Sequence, residues 1–234
     1  MTRPCALKIF SRATLLLVCA AGAAMVISRN SWSPFAILGG ALVLWAGAVV
    51  SIFYFFRDPE PSVPGSANVF VAPAHGLVDA IEEAADVAFM GKRCQRISIF
   101  LSVFDVHVQY APVAGKVQFL ERRPGRFLSA LRTQSAHFNE SVLTGIECSQ
   151  PVGEHVAVRQ IAGVIARRIV TWLQIQDVVK KGQRLGLIQF GSRCDLYLPL
   201  SARIKVRLGD RVVGGETVVA VGPRQTGQLT DREH

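Results

Sequence analysis

The chain has 234 residues, half of them apolar and 18% charged, with a formal net charge of +9. Such a length suits one or two domains with a sizeable core. Lys and Arg are scattered without a dense basic block, which argues against nucleic acid as a partner and for anionic lipid headgroups. Five cysteines, an odd number with no CxxC pair, give neither a disulfide framework nor a legible metal site and suit a reducing compartment.

Arg3, Lys8 and Arg12 precede an uncharged, mostly apolar run, Ala13 to Ile27. A basic start, an apolar centre and the small residues Ala21 and Ala23 also fit a cleaved signal peptide. A second uncharged run covers Phe35 to Phe56. At ~1.5 Å per residue it is long enough to cross ~30 Å of hydrocarbon. The short link between the runs predicts a helical hairpin, with Trp32, Trp45 and Tyr54 as interfacial anchors. The basic N-terminus places both ends of the hairpin on the cytoplasmic side. The first run is short for a full span, so a re-entrant hairpin stays open. Residues 1–56 are therefore read as a membrane-anchoring hairpin and 57–234 as a β-rich domain entered through the proline-punctuated Arg57 to Pro64.

From Val69 the pattern is short strands broken by Gly and Pro. Strand-like stretches are Leu77 to Ile81, Ile97 to Val108, Val117 to Leu120, Val156 to Ile161, Leu185 to Phe190, Leu196 to Leu198, Ile204 to Val206 and Thr217 to Val221. Gly163 to Gln174 fits helix or strand, with a slight lean to a helical turn. Two echoes run through the domain. PAHGLV (Pro73 to Val78) and PVAGKV (Pro112 to Val117) share P-x-x-G-x-V, and VKKGQRLG (Val179 to Gly186) is echoed in VRLGDRVVGG (Val206 to Gly215). These repeats resemble the paired strands of lipoyl- and biotinyl-type barrel-sandwich domains, a likeness of fold alone. No lysine sits between hydrophobic flanks at a hairpin tip, which excludes a swinging-arm carrier. The fold class expected is mainly β, a barrel-sandwich-hybrid-like domain with a few short helices behind the membrane hairpin.

The chemistry centres on Phe190 to Pro199, FGSRCDLYLP. A serine directly after a glycine, Gly191-Ser192, places its hydroxyl against an unshielded carbonyl, the arrangement for an N→O acyl shift. An isolated Gly-Ser is usually a turn, but strand-like flanks hold this one at a strand junction. His107, in DVHVQYAP, is a lone histidine, which is more often structural, although an imidazole with an ordinary pKa of ~6.5 also suits proton donation. On a continuous strand Asp105 would share its face and orient the imidazole; otherwise it simply caps a turn. Arg167 and Arg168 are either ligands for a phosphate or carboxylate or a solvated basic face. His137, His155 and His234 read as surface residues.

KKGQRLGLIQFGSRCDLYLP resembles the C-terminal signature of phosphatidylserine decarboxylase proenzymes of the short bacterial and archaeal type. FFRDPEPSVP, VAPAHGLV, LSVFDVHVQYAPVAGKV and VAVRQIAGVIARRIV extend the likeness in order over roughly residues 54 to 222. The resemblance implies self-cleavage between Gly191 and Ser192 into a β chain 1–191 and an α chain 192–234 that stay together as a heterodimer, with room for a higher oligomer. It implies a covalent pyruvoyl cofactor made from Ser192, no metal, and Schiff-base chemistry on phosphatidylserine in the cell membrane, giving phosphatidylethanolamine and carbon dioxide. His107 takes the family's proton-transfer position. One residue departs: the family usually reads Pro-Ala-Asp-Gly where this chain has Pro73-Ala74-His75-Gly76. His75 carries no permanent negative charge to help Ser192; either its neutral imidazole acts as the base by itself or Asp79, four residues on, substitutes. The alternative reading is a non-catalytic membrane-tethered β-barrel adaptor, or an inactive family member.

Overall fold

A computed structural model describes residues 34–223 except 86, 92, 126–138, 164–167 and 190–191, together with 10–12, 14, 15, 18, 19 and 22. The chain divides into two compact units, Met1–Pro59 and Glu60–His234. In the first, α1 (Pro34–Phe55) is a 22-residue helix without a charged side chain. Proline suits its first position, where no helical N–H is needed, and Asp58-Pro59 follows its end. Phe10 packs on Trp45 and Phe53 at centroid distances of 6.0 and 6.5 Å. The Trp45 indole N–H donates to Thr14 Oγ1 at 3.1 Å. These contacts set Phe10 and Thr14 against α1. Among the described residues no helix is long and apolar enough to cross a membrane.

Every regular element described in the second unit is a strand. In chain order they are β1 (Val69–Val71), β2 (Gly76–Ala84), β3 (Cys94–Leu101), β4 (Val108–Tyr110), β5 (Gly115–Arg123), β6 (Ser141–Cys148), β7 (His155–Ala162), β8 (Ile169–Thr171), β9 (Val178–Val179), β10 (Arg184–Ile188), β11 (Ser192–Pro199), β12 (Arg203–Ile204), β13 (Arg211–Val212) and β14 (Val218–Val221). One curled eight-stranded sheet runs β13-β2-β3-β11-β7-β6-β5-β9. Two three-stranded sheets run β1-β14-β12 and β4-β10-β8. All ladders are antiparallel.

This order is a palindrome of two seven-stranded halves, and the P-x-x-G-x-V echo in the sequence is its trace. β2 pairs with β3 as β5 pairs with β6, each ladder carrying a register shift two residues past its opening glycine, at Val78/Ala80 and at Val117/Phe119. The conserved spacing of P-x-x-G-x-V within the chain has a steric cause. A Cβ on Gly76 would sit 2.2 Å from the Phe100 carbonyl oxygen, and one on Gly115 2.2 Å from that of Glu147. The prolines match too: Tyr110 N–H donates to Pro73 O at 2.8 Å and Val71 N–H to Pro112 O at 2.9 Å. Two matching turns follow, in which Arg207 N–H and Gln174 N–H donate to Asp210 Oδ2 and Asp177 Oδ2 at 2.7 and 2.8 Å. The second echo does not align them: it sets Gly182 against Gly209, whereas the ladders match Gly182 with Gly215, since Gly182 N–H and Gly215 N–H donate to the Ala111 and Ala72 carbonyls at 2.9 and 2.8 Å.

The main core unites alternate residues of the large sheet, Val78, Ile97, Ile99, Cys194 and Leu196 among them, with Phe70, Leu185 and Val219 of the small ones. Several sequence expectations are corrected. Ile97 to Val108 is not one strand: the chain turns at Ser102–Asp105 because the Asp105 carboxylate takes both the Ser102 N–H and hydroxyl, at 2.8 and 2.7 Å. Within Gly163 to Gln174 the described residues Ile169–Thr171 form a strand, not a helical turn. β6 was not anticipated from the sequence. His155 is half-buried, 4.8 Å from the Phe89 ring, and is not a free surface residue.

The matching turns give a clean test of backbone strain. Gly209 has φ +90° with nothing within 4 Å of an added Cβ, and its counterpart Gln176 has φ 79°. Gly209→Ala is expected to lower stability by about 1 kcal/mol, the left-handed penalty of an L-residue. Gln176→Gly should leave stability level or raise it, because the relief offsets the added freedom of the unfolded chain. Thermal unfolding of both variants checks the pair.

Candidate active site

β11 is the inner strand on which the site is built. All eight of its residues are buried, with β3 on one side and β7 on the other. Side chains alternate across a sheet, so Ser192, Cys194, Leu196 and Leu198 share one face. The last three lie in the main core, which sets the direction of Ser192. Ser192 is fully buried, and its Oγ has no hydrogen-bond partner. Its ladder neighbours are Leu101 and Ala162, neither of which offers a side-chain polar atom. A buried hydroxyl left unmatched costs about 1–3 kcal/mol, so this serine is poorly explained by packing. Gly191 and Phe190 lie outside the described residues.

His107 reaches the same region through the topology. In one half, β6 turns directly into β7 across residues 149–154. In the other, the matching hairpin between β3 and β11 is open, and each end continues into the opposite half. The β3–β4 connection carries His107, and the β10–β11 connection leads into Ser192. The described ends of the two connections adjoin. Ser192 pairs with Leu101 at one end, and Ile188 N–H donates to the His107 carbonyl at 3.1 Å at the other. Four residue steps from Ile188 to Ser192 span at most ~14 Å.

His107 is fully buried. Its Nδ1 lies 2.8 Å from the Asp105 carbonyl oxygen. A carbonyl only accepts, so in the neutral ring Nδ1 carries the proton and Nε2 keeps the lone pair. Asp105 thus orients the imidazole through its backbone. Its carboxylate is spent on Ser102 and on Arg211, whose Nη2 donates to Oδ1 at 3.1 Å. The expected carboxylate contact is replaced because the turn, not a strand, sets Asp105. At the position matching His107 in the other half stands Asn68, which merely ties down Gly222 and Pro223.

Two buried glutamines, not singled out in the sequence, complete the arrangement. Gln109 Nε2 donates to the His107 carbonyl and Gln160 Nε2 donates to Gln109 Oε1, both at 2.8 Å. The chain ends on a backbone acceptor, so the orientation of both amides is forced. Gln160 Oε1 is left as a buried acceptor without a partner. Gln160 shares the face of Ala162 on β7 and lies diagonally from Ser192 across the ladder. A polar residue at an inward-facing strand position, in VAVRQIA, was the signal available in the sequence.

The opposite face of β11 is charged and closed. Arg193 gives two N–H groups to Asp79, one at 3.2 Å. Asp195 accepts from Ser98 Oγ at 2.7 Å and lies 3.7 Å from Arg96. Burial raises the Asp79 carboxyl above its ordinary range, against the opposing pull of Arg193. Asp79 is therefore committed to Arg193 on the far side of the sheet from the Ser192 hydroxyl, and does not stand in for the missing aspartate. His75 is half-buried in the β1–β2 bend, its ring 5.8 Å from that of Tyr110. Arg168 is exposed, with only its carbonyl engaged by Gln189 N–H at 3.2 Å. Arg167 lies outside the described residues. The described residues hold no cluster of potential metal ligands and four free cysteines.

The Asp79–Arg193 pair is asymmetric: the Arg193 side chain is 4% exposed and that of Asp79 25%. Asp79→Ala strands a buried cation and is expected to cost about 3 kcal/mol. Arg193→Met leaves a carboxylate that water reaches and should cost clearly less. Urea unfolding of the two variants decides the order.

The sequence profile described as phosphatidylserine decarboxylase matches residues 51–220. A phosphatidylserine decarboxylase proenzyme of Symbiobacterium thermophilum is 42% identical over 85% of this chain and 97% of its own. Proenzymes of the same description from Desulfotalea psychrophila and Saccharopolyspora erythraea are 45% and 41% identical, covering 74% and 87% of this chain and 79% and 84% of theirs.

Proposed function

Because the chain belongs to the phosphatidylserine decarboxylase family, we propose that it is a proenzyme that decarboxylates phosphatidylserine to phosphatidylethanolamine, using a pyruvoyl group made from Ser192. The observation that carries the reading is the orphaned, fully buried Ser192 hydroxyl at one of two adjoining crossovers, with His107 on the other. In self-cleavage the Ser192 oxygen would bond to the Gly191 carbonyl carbon as the Gly191–Ser192 C–N bond breaks and the hydroxyl proton passes to the released nitrogen. Loss of the Ser192 Cα proton with scission of its Cβ–O bond would then free residues 1–191 as a carboxylate, and water would convert the dehydroalanine left at 192 to the pyruvoyl group with release of ammonia.

A pyruvoyl group at this position fits a wall of Leu101 and Ala162 that presents no competing polar side chain. Its ketone would supply the electron sink that decarboxylation of an amine-bearing carboxylate requires. The chain's own groups do the rest. His107 Nε2, which carries the lone pair in the Nδ1–H tautomer, holds and returns a proton. Gln160 Oε1 offers an acceptor of fixed direction suited to an amine N–H. The full burial of Ser192 and His107 excludes bulk water. His75, beside Tyr110 on the strand that follows His107, is the base this reading assigns to the precursor. The uncharged α1 supports attachment to the membrane that holds the substrate, with the second unit on the cytoplasmic side. The exposure of Arg168 supports giving it the lipid phosphate or carboxylate in this reading.

Release of carbon dioxide from carboxyl-labelled phosphatidylserine by the full chain tests this. Ser192→Ala should abolish release, and His107→Gln should slow it by about 10²-fold or more. Wild-type rates in Ser192→Ala would overturn the reading, and in His107→Gln would remove the histidine from proton transfer.

A further inference from the structure

We propose that the Ser102–Asp105 and Arg207–Asp210 turns together form the face by which the second unit docks on an anionic bilayer and presents His107 and Ser192 to lipid headgroups. This deepens the decarboxylase reading and rests on it.

Turn tips in water are normally polar. Here the tip of the first turn is Val103-Phe104, with Phe104 71% and Val103 41% exposed. The tip of the second is Leu208, 68% exposed. Neither turn is loose. Asp105 holds Ser102 through its N–H and its hydroxyl, and Asp210 holds the Arg207 N–H at 2.7 Å. The two turns are joined by Arg211, which follows the second turn and donates to Asp105 of the first at 3.1 Å. Arg207 and Arg211 are both exposed. The result is a set of apolar points on fixed supports among cations, the chemistry that suits insertion beside anionic headgroups.

The duplication supplies an internal control. The turn matching Arg207–Asp210 in the other half is Gln174–Asp177, and it too exposes an apolar tip, Ile175 at 53%. Gln174 stands there in place of Arg207 and Val178 in place of Arg211. An exposed tip is thus common to both halves, whereas the cations and the link to the histidine connection belong to one. Asp105 is the hinge of that link: its carboxylate ties the two turns together and its carbonyl takes the His107 ring. Contact at the face is therefore two residues from the buried imidazole.

The test uses the full chain reconstituted in phosphatidylcholine vesicles with or without phosphatidylserine, carrying Phe104→Trp or Ile175→Trp, with the native tryptophan signal of the parent chain subtracted. Brominated acyl chains should quench the tryptophan at 104, more strongly with phosphatidylserine present, and leave that at 175 unquenched. Equal quenching at both positions, or none at 104, overturns the proposal. A second arm compares Phe104→Ser with the parent on long-chain phosphatidylserine in vesicles and on monomeric short-chain phosphatidylserine. The vesicle KM should rise about tenfold with the monomer kcat/KM unchanged. Equal losses on both substrates would make Phe104 part of the site and sink the docking role. A parent chain inactive on both substrates would overturn the decarboxylase reading while the quenching result still decides the docking face.

Discussion

β11 is held by β3 along its whole length and by β7 from Ser192 to Tyr197, it is buried on both faces, and the site depends on that confinement. Ser192 heads this strand, so its hydroxyl cannot turn away to water or to another partner. The same ladders settle what a cut before Ser192 would do. Residues 192–234 contribute β11 to the centre of the large sheet, β13 to its edge on β2, and β14 to the small sheet on β1. A chain broken there keeps every one of those ladders, and the new end stays where Ser192 was. Self-cleavage is compatible with the fold because the fold does not rely on the bond that is lost.

The duplication explains why the site lies where it does. Two equivalent halves need only ordinary turns, and β6–β7 has one. The chain, however, passes between halves twice, and both passages fall at the opened β3–β11 hairpin. Connections at such a point are released from the ladder and free to carry polar groups. They do so with His107 on one and Ser192 at the end of the other, while Gln109 and Gln160 extend from the His107 carbonyl to β7. The opposite half keeps the same backbone hydrogen bond, Gly222 N–H to Asn68 O at 3.1 Å, without the histidine. One scaffold position thus serves structure in one half and chemistry in the other.

Much of this was legible in the residues. P-x-x-G-x-V was read as a repeat, and the close approach of Phe100 and Glu147 carbonyls to Gly76 and Gly115 is its cause. The strand-junction position of Ser192 followed from its apolar flanks. What failed was local continuity. Apolar residues from Ile97 to Val108 read as one strand because Val103 and Phe104 are apolar yet sit on a turn closed by Asp105. Gln109 and Gln160 passed unnoticed because a glutamine in a strand is ordinarily an outward-facing residue, and only the ladder register shows these two pointing inward. Asp79 was within reach by sequence distance, but strand alternation puts it on the Arg193 face.

The central claim is that Ser192 acts on the chain's own backbone, and the intact mass of the purified protein tests it most directly. The account predicts two chains that stay together until denatured, of 191 and 43 residues by the numbering of the 234-residue sequence, the shorter with an N-terminus blocked by a ketone. A single chain of full mass from a preparation that nonetheless releases carbon dioxide from phosphatidylserine would contradict it.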